Sequence, residues 1–174
     1  MSQPSIHPKT RIGHVHLRVG DLDRAIAFYR DLLGFHVTGY GPDRGVPGIA
    51  FLAAGDYHHH IALNTWESES GTQAPQGHTG LHHFAISYPD RNTLGHAVRH
   101  LLESEYPIEN AIDSGITVGV FLKDPDGNGI ELSYDRPRAA WFEADGRFVL
   151  RIEPFDPRDL LVDEDALVGA EAAS

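Results

Sequence analysis

The sequence predicts an α+β fold of two tandem βαβββ modules, because one pattern occurs twice along the chain. At an offset of 69 residues, the segment 14–21 (HVHLRVGD) aligns with the segment 83–90 (HFAISYPD), His on His and Asp on Asp. Ile61 and Leu63 fall on Ile130 and Leu132 at the same offset. A fixed period of this kind indicates repeated structural units. Each copy, of roughly 60 residues, is too small to bury a good core alone, so the two copies are expected to complete each other.

Each module is expected to begin with a strand and to continue into a helix. Apolar and polar residues alternate over 14–19 and again over 83–88, which places the apolar side chains on one face of a strand. Asp21 and Asp90 follow these strands and are good N-cap residues. The helices are predicted over 22–33, ended by Gly34, and over 91–102. Three short strands are expected after each helix, including 48–52, 61–66, 116–122 and 130–134, with a turn at 124–127.

The repeat also divides the chain. We expect a flexible segment over residues 1–10 and a single domain over 11–142, with module one at 11–67, a linker at 68–79 and module two at 80–142. Residues 143–174 form an acidic C-terminal extension that matches no part of the repeat. We therefore expect this extension to be peripheral, and removal of residues 155–174 to leave thermal stability nearly unchanged.

Composition and charge exclude several classes of function. The 174 residues carry 14 Lys and Arg against 25 Asp and Glu, and this net charge of −11 repels nucleic acid and anionic membranes. There is no Cys, so disulfides, thiolate metal sites and a thiol nucleophile are excluded. No apolar run has the length of a membrane span, and the first ten residues lack the apolar core of a secretory signal. These features predict a cytoplasmic location.

The residues that carry chemistry are expected on one face of the sheet. Glu131 lies between apolar neighbours in a predicted strand, and strand phase places it on the face that His83 shares. By the repeat, His14 shares the same face. Two imidazoles and one carboxylate form the ligand set typical of non-haem Fe(II), although Mn(II), Ni(II) or Zn(II) suit it too. The repeat gives Ala62 as the counterpart of Glu131, and alanine cannot bind a metal. His82 becomes the ligand in place of His83 if the strand register is shifted by one residue.

These motifs resemble the vicinal oxygen chelate superfamily, which includes glyoxalase I, bleomycin-resistance proteins and extradiol dioxygenases. The similar segments are 14–35, 57–68, 80–91 and 124–138, and the chain is most similar to small proteins of the catechol 2,3-dioxygenase type. The resemblance implies a curved open barrel around one metal, a homodimer, and ring cleavage of a small catecholic substrate by O₂. It also places the family's second-sphere His and Tyr at Ser114 and Phe121, so two proton-transfer groups differ from the family pattern.

Other residues on the same face complete the predicted site. Because an imidazole is the suitable acid or base at neutral pH, His60 and His16 are the catalytic candidates. Strand phase is expected to turn His60 and His58, but not His59, toward the site. Substrate contacts are expected from Trp66, Phe121 and Asn64. Two other functions remain open: a metal-dependent isomerase or lyase of the glyoxalase type, and a protein that only sequesters a flat ligand, as bleomycin-resistance proteins do.

Overall fold

The computed structural model describes residues 4–73, 75 and 77–161, and divides them into two compact units. The first unit ends at Thr72 and the second begins at Gln73, a division that falls inside the predicted linker at 68–79. Among the described residues, no helix is both long enough and apolar enough to cross a membrane.

The first unit is a four-stranded mixed sheet with one helix. Its elements are β1 (Val15–Arg18), α1 (Leu22–Ala27), which continues as a π-helical turn (Phe28–Leu32), β2 (His36–Tyr40), β3 (Ile49–Ala53) and β4 (Ile61–Asn64). The strand order is β1-β4-β3-β2, with β1 parallel to β4 and the other neighbours antiparallel.

The second unit repeats this plan and adds one strand. Its elements are β5 (Phe84–Ser87), α2 (Arg91–Glu103), β6 (Asn110–Asp113), β7 (Thr117–Lys123), β8 (Gly129–Asp135) and β9 (Glu153–Pro154). The strand order is β5-β8-β7-β6-β9, and β5 is parallel to β8 as β1 is to β4. The predicted α+β fold of two βαβββ modules is therefore confirmed, while their assembly into a curved open barrel stays a prediction.

Local sequence explains where both helices begin. The Asp21 carboxylate accepts a hydrogen bond from the backbone N–H of Arg24 at 3.0 Å, and Asp90 accepts one from Thr93 at 2.9 Å. The Thr93 hydroxyl interacts in turn with the backbone N–H of Asp90, which completes a capping box. Each cap satisfies a backbone donor that the first helical turn leaves free. The helices lie against apolar sheet faces, and the fully buried residues of the two units include Val19, Tyr29, Leu52, Leu63, Leu94, Val98, Leu101, Ile130 and Leu132.

The expectation that the C-terminal extension is peripheral is wrong for its described part. β9 pairs with β6, and the backbone N–H of Phe155 donates to the Ala111 carbonyl at 3.1 Å. A 3₁₀ turn at Pro157–Leu160 then packs on α2, where Leu160 is 0% exposed and Arg91 donates to the Asp159 carbonyl. The segment is rich in acidic side chains, and its few buried apolar residues follow no helical or strand period, so the sequence pattern did not predict its packing. Residues 162–174 lie outside the described residues.

Candidate metal centre

Glu131 lies on β8, an interior strand of the second sheet, on the face opposite the buried core. Its neighbours Ile130 and Leu132 are completely buried, and alternation along β8 directs the Glu131 side chain the other way. Ala85 of β5 and Phe121 of β7 lie directly opposite it on the adjacent strands. The Glu131 side chain is only 14% exposed, so this carboxylate is held against the sheet rather than in open solvent.

His83 is the side chain that faces Glu131. It immediately precedes β5, and its Nε2 lies 3.2 Å from Oε2 of Glu131. Burial raises the pKa of the Glu131 carboxyl above its ordinary value, and the facing His83 imidazole lowers that pKa in opposition. A cation at this position would stabilise the ionised carboxylate that burial disfavours. The pair therefore has the donor chemistry and the environment of two metal ligands.

Two glycines that sequence reasoning did not single out make room for this pair. A Cβ at Gly119 of β7 would lie 2.6 Å from Oε1 of Glu131. A Cβ at Gly129 of β8 would lie 2.2 Å from the backbone oxygen of His82. Glycine inside a strand commonly marks such a close approach, which is the signal that could have identified both positions.

Aromatic and imidazole rings enclose His83 on two sides. The Phe121 ring meets it edge to face, with centroids 5.4 Å apart. Nδ1 of the adjacent His82 lies 2.8 Å from Nδ1 of His83. Between the two histidines, it is His83 that faces Glu131, and His82 is the more exposed. Ser114, the position of the family's second-sphere His, bonds instead with Thr117 in the turn between β6 and β7.

In the first unit, His16 is the best-anchored of the predicted site residues. Its Nε2 lies 2.7 Å from Nδ2 of Asn64, and its Cα is directly opposite that of Ala62. Burial, reinforced by the nearby His14, lowers the pKa of His16 below the ordinary value. Burial thus favours the neutral imidazole, and the contact with Asn64 holds the ring in place. The Trp66 ring lies 6.3 Å from the His16 ring, although Trp66 is largely exposed and donates to the Pro47 carbonyl.

The three successive histidines 58–60 do not follow the predicted alternation. β4 begins only at Ile61, so these residues belong to the connection from β3 rather than to a strand. It is His59 whose ring contacts His14, with centroids 4.6 Å apart, and it also packs on Phe51. His60 instead accepts the Ala54 backbone N–H at Nδ1 and packs on Tyr57. His59 thus lies next to the predicted ligand His14, although strand phase predicted that His59 points away from the site.

Within the described ranges, no group of three or more His, Asp or Glu side chains is positioned to hold a metal ion. The second unit brings together two members of the predicted set, His83 and Glu131, with Phe121 beside them. His14, His16, His60, Asn64 and Trp66 all belong to the first unit. The three-ligand set and the catalytic roles of His16 and His60 therefore stay predictions.

The chain belongs to the Glyoxalase/Bleomycin resistance protein/Dioxygenase superfamily, whose family profile matches residues 11–132. This confirms the resemblance found in the sequence motifs. Catechol-2,3-dioxygenase of Bacillus subtilis is 36% identical over 159 residues, which make up 90% of this chain and 53% of that protein. The chain thus spans about half the length of this relative.

A second group of relatives carries a different name. Lactoylglutathione lyase of Haemophilus influenzae is 35% identical over 123 residues, covering 70% of this chain and 90% of that protein. Among solved structures, a glyoxalase/dioxygenase from Nostoc punctiforme aligns with a TM-score of 0.61 at 22% identity, over 79% of this chain and 100% of the other. That likeness shows the fold alone. The relatives' names therefore divide between diol dioxygenases and lactoylglutathione lyases.

Proposed function

We propose that this chain is a metal-dependent, extradiol-type ring-cleaving dioxygenase that acts on a catecholic substrate with O₂. The observation that carries the proposal is the pair of His83 and Glu131, held 3.2 Å apart beside the Phe121 ring. His14 of the first module is the proposed third ligand. The similarity to a protein named catechol-2,3-dioxygenase over 90% of the chain favours this substrate class.

The residues present fit a divalent metal. Glu131 is a mostly buried carboxylate whose ionised form needs a compensating charge, and Gly119 leaves the space that its Oε1 occupies. Imidazole and carboxylate together suit Fe(II), the metal we propose, and also Mn(II), Ni(II) or Zn(II). When bound, Fe(II) would supply the redox coupling between the diol and O₂.

The chain's own residues would orient the substrate and move its protons. Phe121 offers an aromatic surface beside the ligand pair, and Trp66 and Asn64 are the proposed contacts from the first module. Burial lowers the pKa of His16 and so favours the neutral imidazole, the form that acts as a base toward a catechol hydroxyl, while Asn64 holds the ring in place. His60 is the second proposed proton-transfer group.

The alanine at position 62 favours the dioxygenase over the lyase reading. It is the counterpart of Glu131 in the repeat, lying opposite His16 as Glu131 lies opposite Ala85. Three protein ligands leave more coordination positions open than four, and a diol with O₂ needs three of them. A glyoxalase-type isomerase or lyase is the second candidate, favoured by a lactoylglutathione lyase that this chain covers over 90% of its length. A purely ligand-sequestering protein is a weaker third candidate, because it has no need of the His83–Glu131 pair.

Metal analysis followed by paired activity assays tests the proposal. The protein is loaded anaerobically with Fe(II), and O₂ uptake is measured with catechol and 4-methylcatechol. The same preparation loaded with Ni(II) or Zn(II) is assayed with the hemithioacetal of methylglyoxal and glutathione. Diol-dependent O₂ uptake that Glu131→Gln abolishes and His96→Gln preserves is the expected result. Hemithioacetal turnover without O₂ uptake would replace the dioxygenase by the lyase.

We extend the proposal to the assembly and location of the protein. A homodimer is the proposed state, and sedimentation equilibrium of the full chain measures it. The proposed cytoplasmic location is tested by fractionation of cells that produce the full-length protein.

A further inference from the structure

Two adjacent imidazoles, those of His82 and His83, lie with their Nδ1 atoms 2.8 Å apart. At this distance the two nitrogens share one hydrogen, so that one ring donates and the other accepts. The direction of this hydrogen bond fixes the tautomer of both rings. His83 is the ring whose other nitrogen faces Glu131.

The opposite side of His83 determines that direction. Its Nε2 lies 3.2 Å from Oε2 of Glu131, and an ionised carboxylate can only accept a hydrogen bond. Without a metal, Nε2 of His83 therefore carries the hydrogen, and Nδ1 accepts from His82. A metal-bound Nε2 carries no hydrogen, so the neutral His83 ring must then carry it on Nδ1. The hydrogen bond between the two rings must then reverse its direction.

We propose that His82 is a positioning residue for the metal centre, whose Nδ1 accepts the Nδ1–H of His83 when Nε2 of His83 binds the metal. This role rests on the proposed function. It differs from that of a ligand, because His82 acts on the orientation and tautomer of His83. Such partners of metal-bound histidines raise ligand basicity and metal affinity.

The hydrogens balance in this exchange. On metal binding, the shared hydrogen passes from Nδ1 of His82 to Nδ1 of His83. Nε2 of His83 releases its hydrogen to solvent, and Nε2 of His82 takes one from solvent. His82 is exposed, so its Nε2 has direct access to water. Each ring begins and ends with one hydrogen.

The surrounding structure keeps the two rings in this relation. The backbone of His82 lies so close to β8 that a Cβ at Gly129 would come within 2.2 Å of the His82 carbonyl oxygen and 3.1 Å of the His83 Cβ. On the other side, the Phe121 ring packs edge to face on His83. These contacts place the His82 and His83 backbone close to β8 and the His83 ring against Phe121.

Three full-length variants test this role with Zn²⁺ as the probe. His82→Leu removes the acceptor, whereas His82→Asn keeps an oxygen at the position of Nδ1. His96→Leu is the matched control, since His96 lies on the exposed face of α2. We expect His82→Leu to weaken Zn²⁺ binding by about 10–100-fold, and His82→Asn and His96→Leu to stay close to the unmodified chain. Thermal melts of all variants report whether the fold is retained.

A spectroscopic measurement identifies the tautomer independently of affinity. Long-range ¹⁵N–¹H spectra of the histidine rings are expected to show hydrogen on Nε2 of His83 without metal and on Nδ1 with Zn²⁺. The role of His82 would be overturned if the His83 tautomer did not change on Zn²⁺ binding. It would also be overturned if His82→Leu bound Zn²⁺ as tightly as the unmodified chain, or if His82→Asn bound Zn²⁺ as weakly as His82→Leu. Failure of the unmodified chain to bind Zn²⁺ would instead overturn the proposed metal function, and this role with it.

Discussion

Leu160 is expected to be a major anchor of the second unit, although it lies beyond the repeat. Its side chain is 0% exposed and packs with its 3₁₀ turn on α2. Leu160→Ala deletes three carbon atoms, worth roughly 2.4 kcal/mol at about 0.8 kcal/mol each. A residual cavity adds to this loss, so the free energy of unfolding should fall by about 3 kcal/mol or more. In a chain of this length, that corresponds to roughly 6–12 °C in Tm.

The assay is thermal or urea unfolding followed by circular dichroism, with Leu150→Ala as the matched control. Leu150 is 79% exposed in the same C-terminal segment, so the same substitution there should change Tm little. A chain ending at residue 154 should also melt well below one ending at residue 161, because it loses Phe155 and the 3₁₀ turn. Equal Tm values for Leu160→Ala and Leu150→Ala would refute the reasoning.

Four further predictions concern the candidate site and the pH dependence of stability. His14→Ala, His83→Ala and Glu131→Ala should each abolish metal retention after dialysis, because two ligands hold a labile ion poorly, whereas His96→Ala should retain it. Gly119→Ala should weaken metal binding by displacing Glu131, whose Oε1 lies 2.6 Å from the added Cβ; unchanged affinity by titration would contradict this. His16→Ala or His60→Ala should lower diol turnover by about 10²–10⁴ without loss of metal, measured as O₂ uptake beside metal content. Hydrogen bonding by Arg136 lowers the pKa of Asp113, so the ionised Asp113 stabilises the folded state. This contribution is present above the unfolded-state pKa of about 3.9 and is lost as pH falls through the lower folded-state pKa. Asp113→Asn should therefore lower Tm at neutral pH, and the difference from the unmodified chain should shrink steadily upon acidification.

The local signals in the sequence were strong enough to predict the modules. Asp21 and Asp90 cap helices because an aspartate carboxylate accepts a backbone N–H that the first helical turn leaves free. Glu131 stood out because a carboxylate between two buried residues requires a partner, and His83 is that partner. Both inferences depend on contacts within one module, where period and phase determine which residues are neighbours.

The histidines before β4 could not be predicted in the same way. Strand pairing sets Phe51 opposite Ala62 in the first unit and Phe121 opposite Glu131 in the second. Glu131 thus corresponds to Ala62, 69 residues earlier, whereas Phe121 corresponds to Phe51, 70 residues earlier. The connection from β3 to β4 in the first module is therefore one residue longer than the connection from β7 to β8 in the second. A constant offset conceals this insertion. Strand phase therefore does not extend into the connection, and His59 reaches His14 where His60 was expected.

The C-terminal segment was misjudged for a different reason. A strand of two residues and a single 3₁₀ turn are too short to produce a period, and both lie among acidic side chains. Their positions depend on long-range contacts, such as that of Leu160 with α2, which composition does not encode. A two-residue strand, the backbone hydrogen bond of Phe155 and the burial of Leu160 together anchor this segment despite its acidic side chains.

Corresponding rows of the two sheets show where the modules have diverged. The row His16–Ala62–Phe51 of the first sheet corresponds to the row Ala85–Glu131–Phe121 of the second. Adjacent strands lie only about 4.8 Å apart, so a large polar side chain in such a row needs a small neighbour. In the first module that small neighbour is Ala62, beside the imidazole of His16. In the second module it is Ala85, beside the carboxylate of Glu131. The aromatic ring occupies the third position in both rows. Exchange of side chains on a common backbone plan, rather than a change of fold, therefore gives each module its distinct donor group.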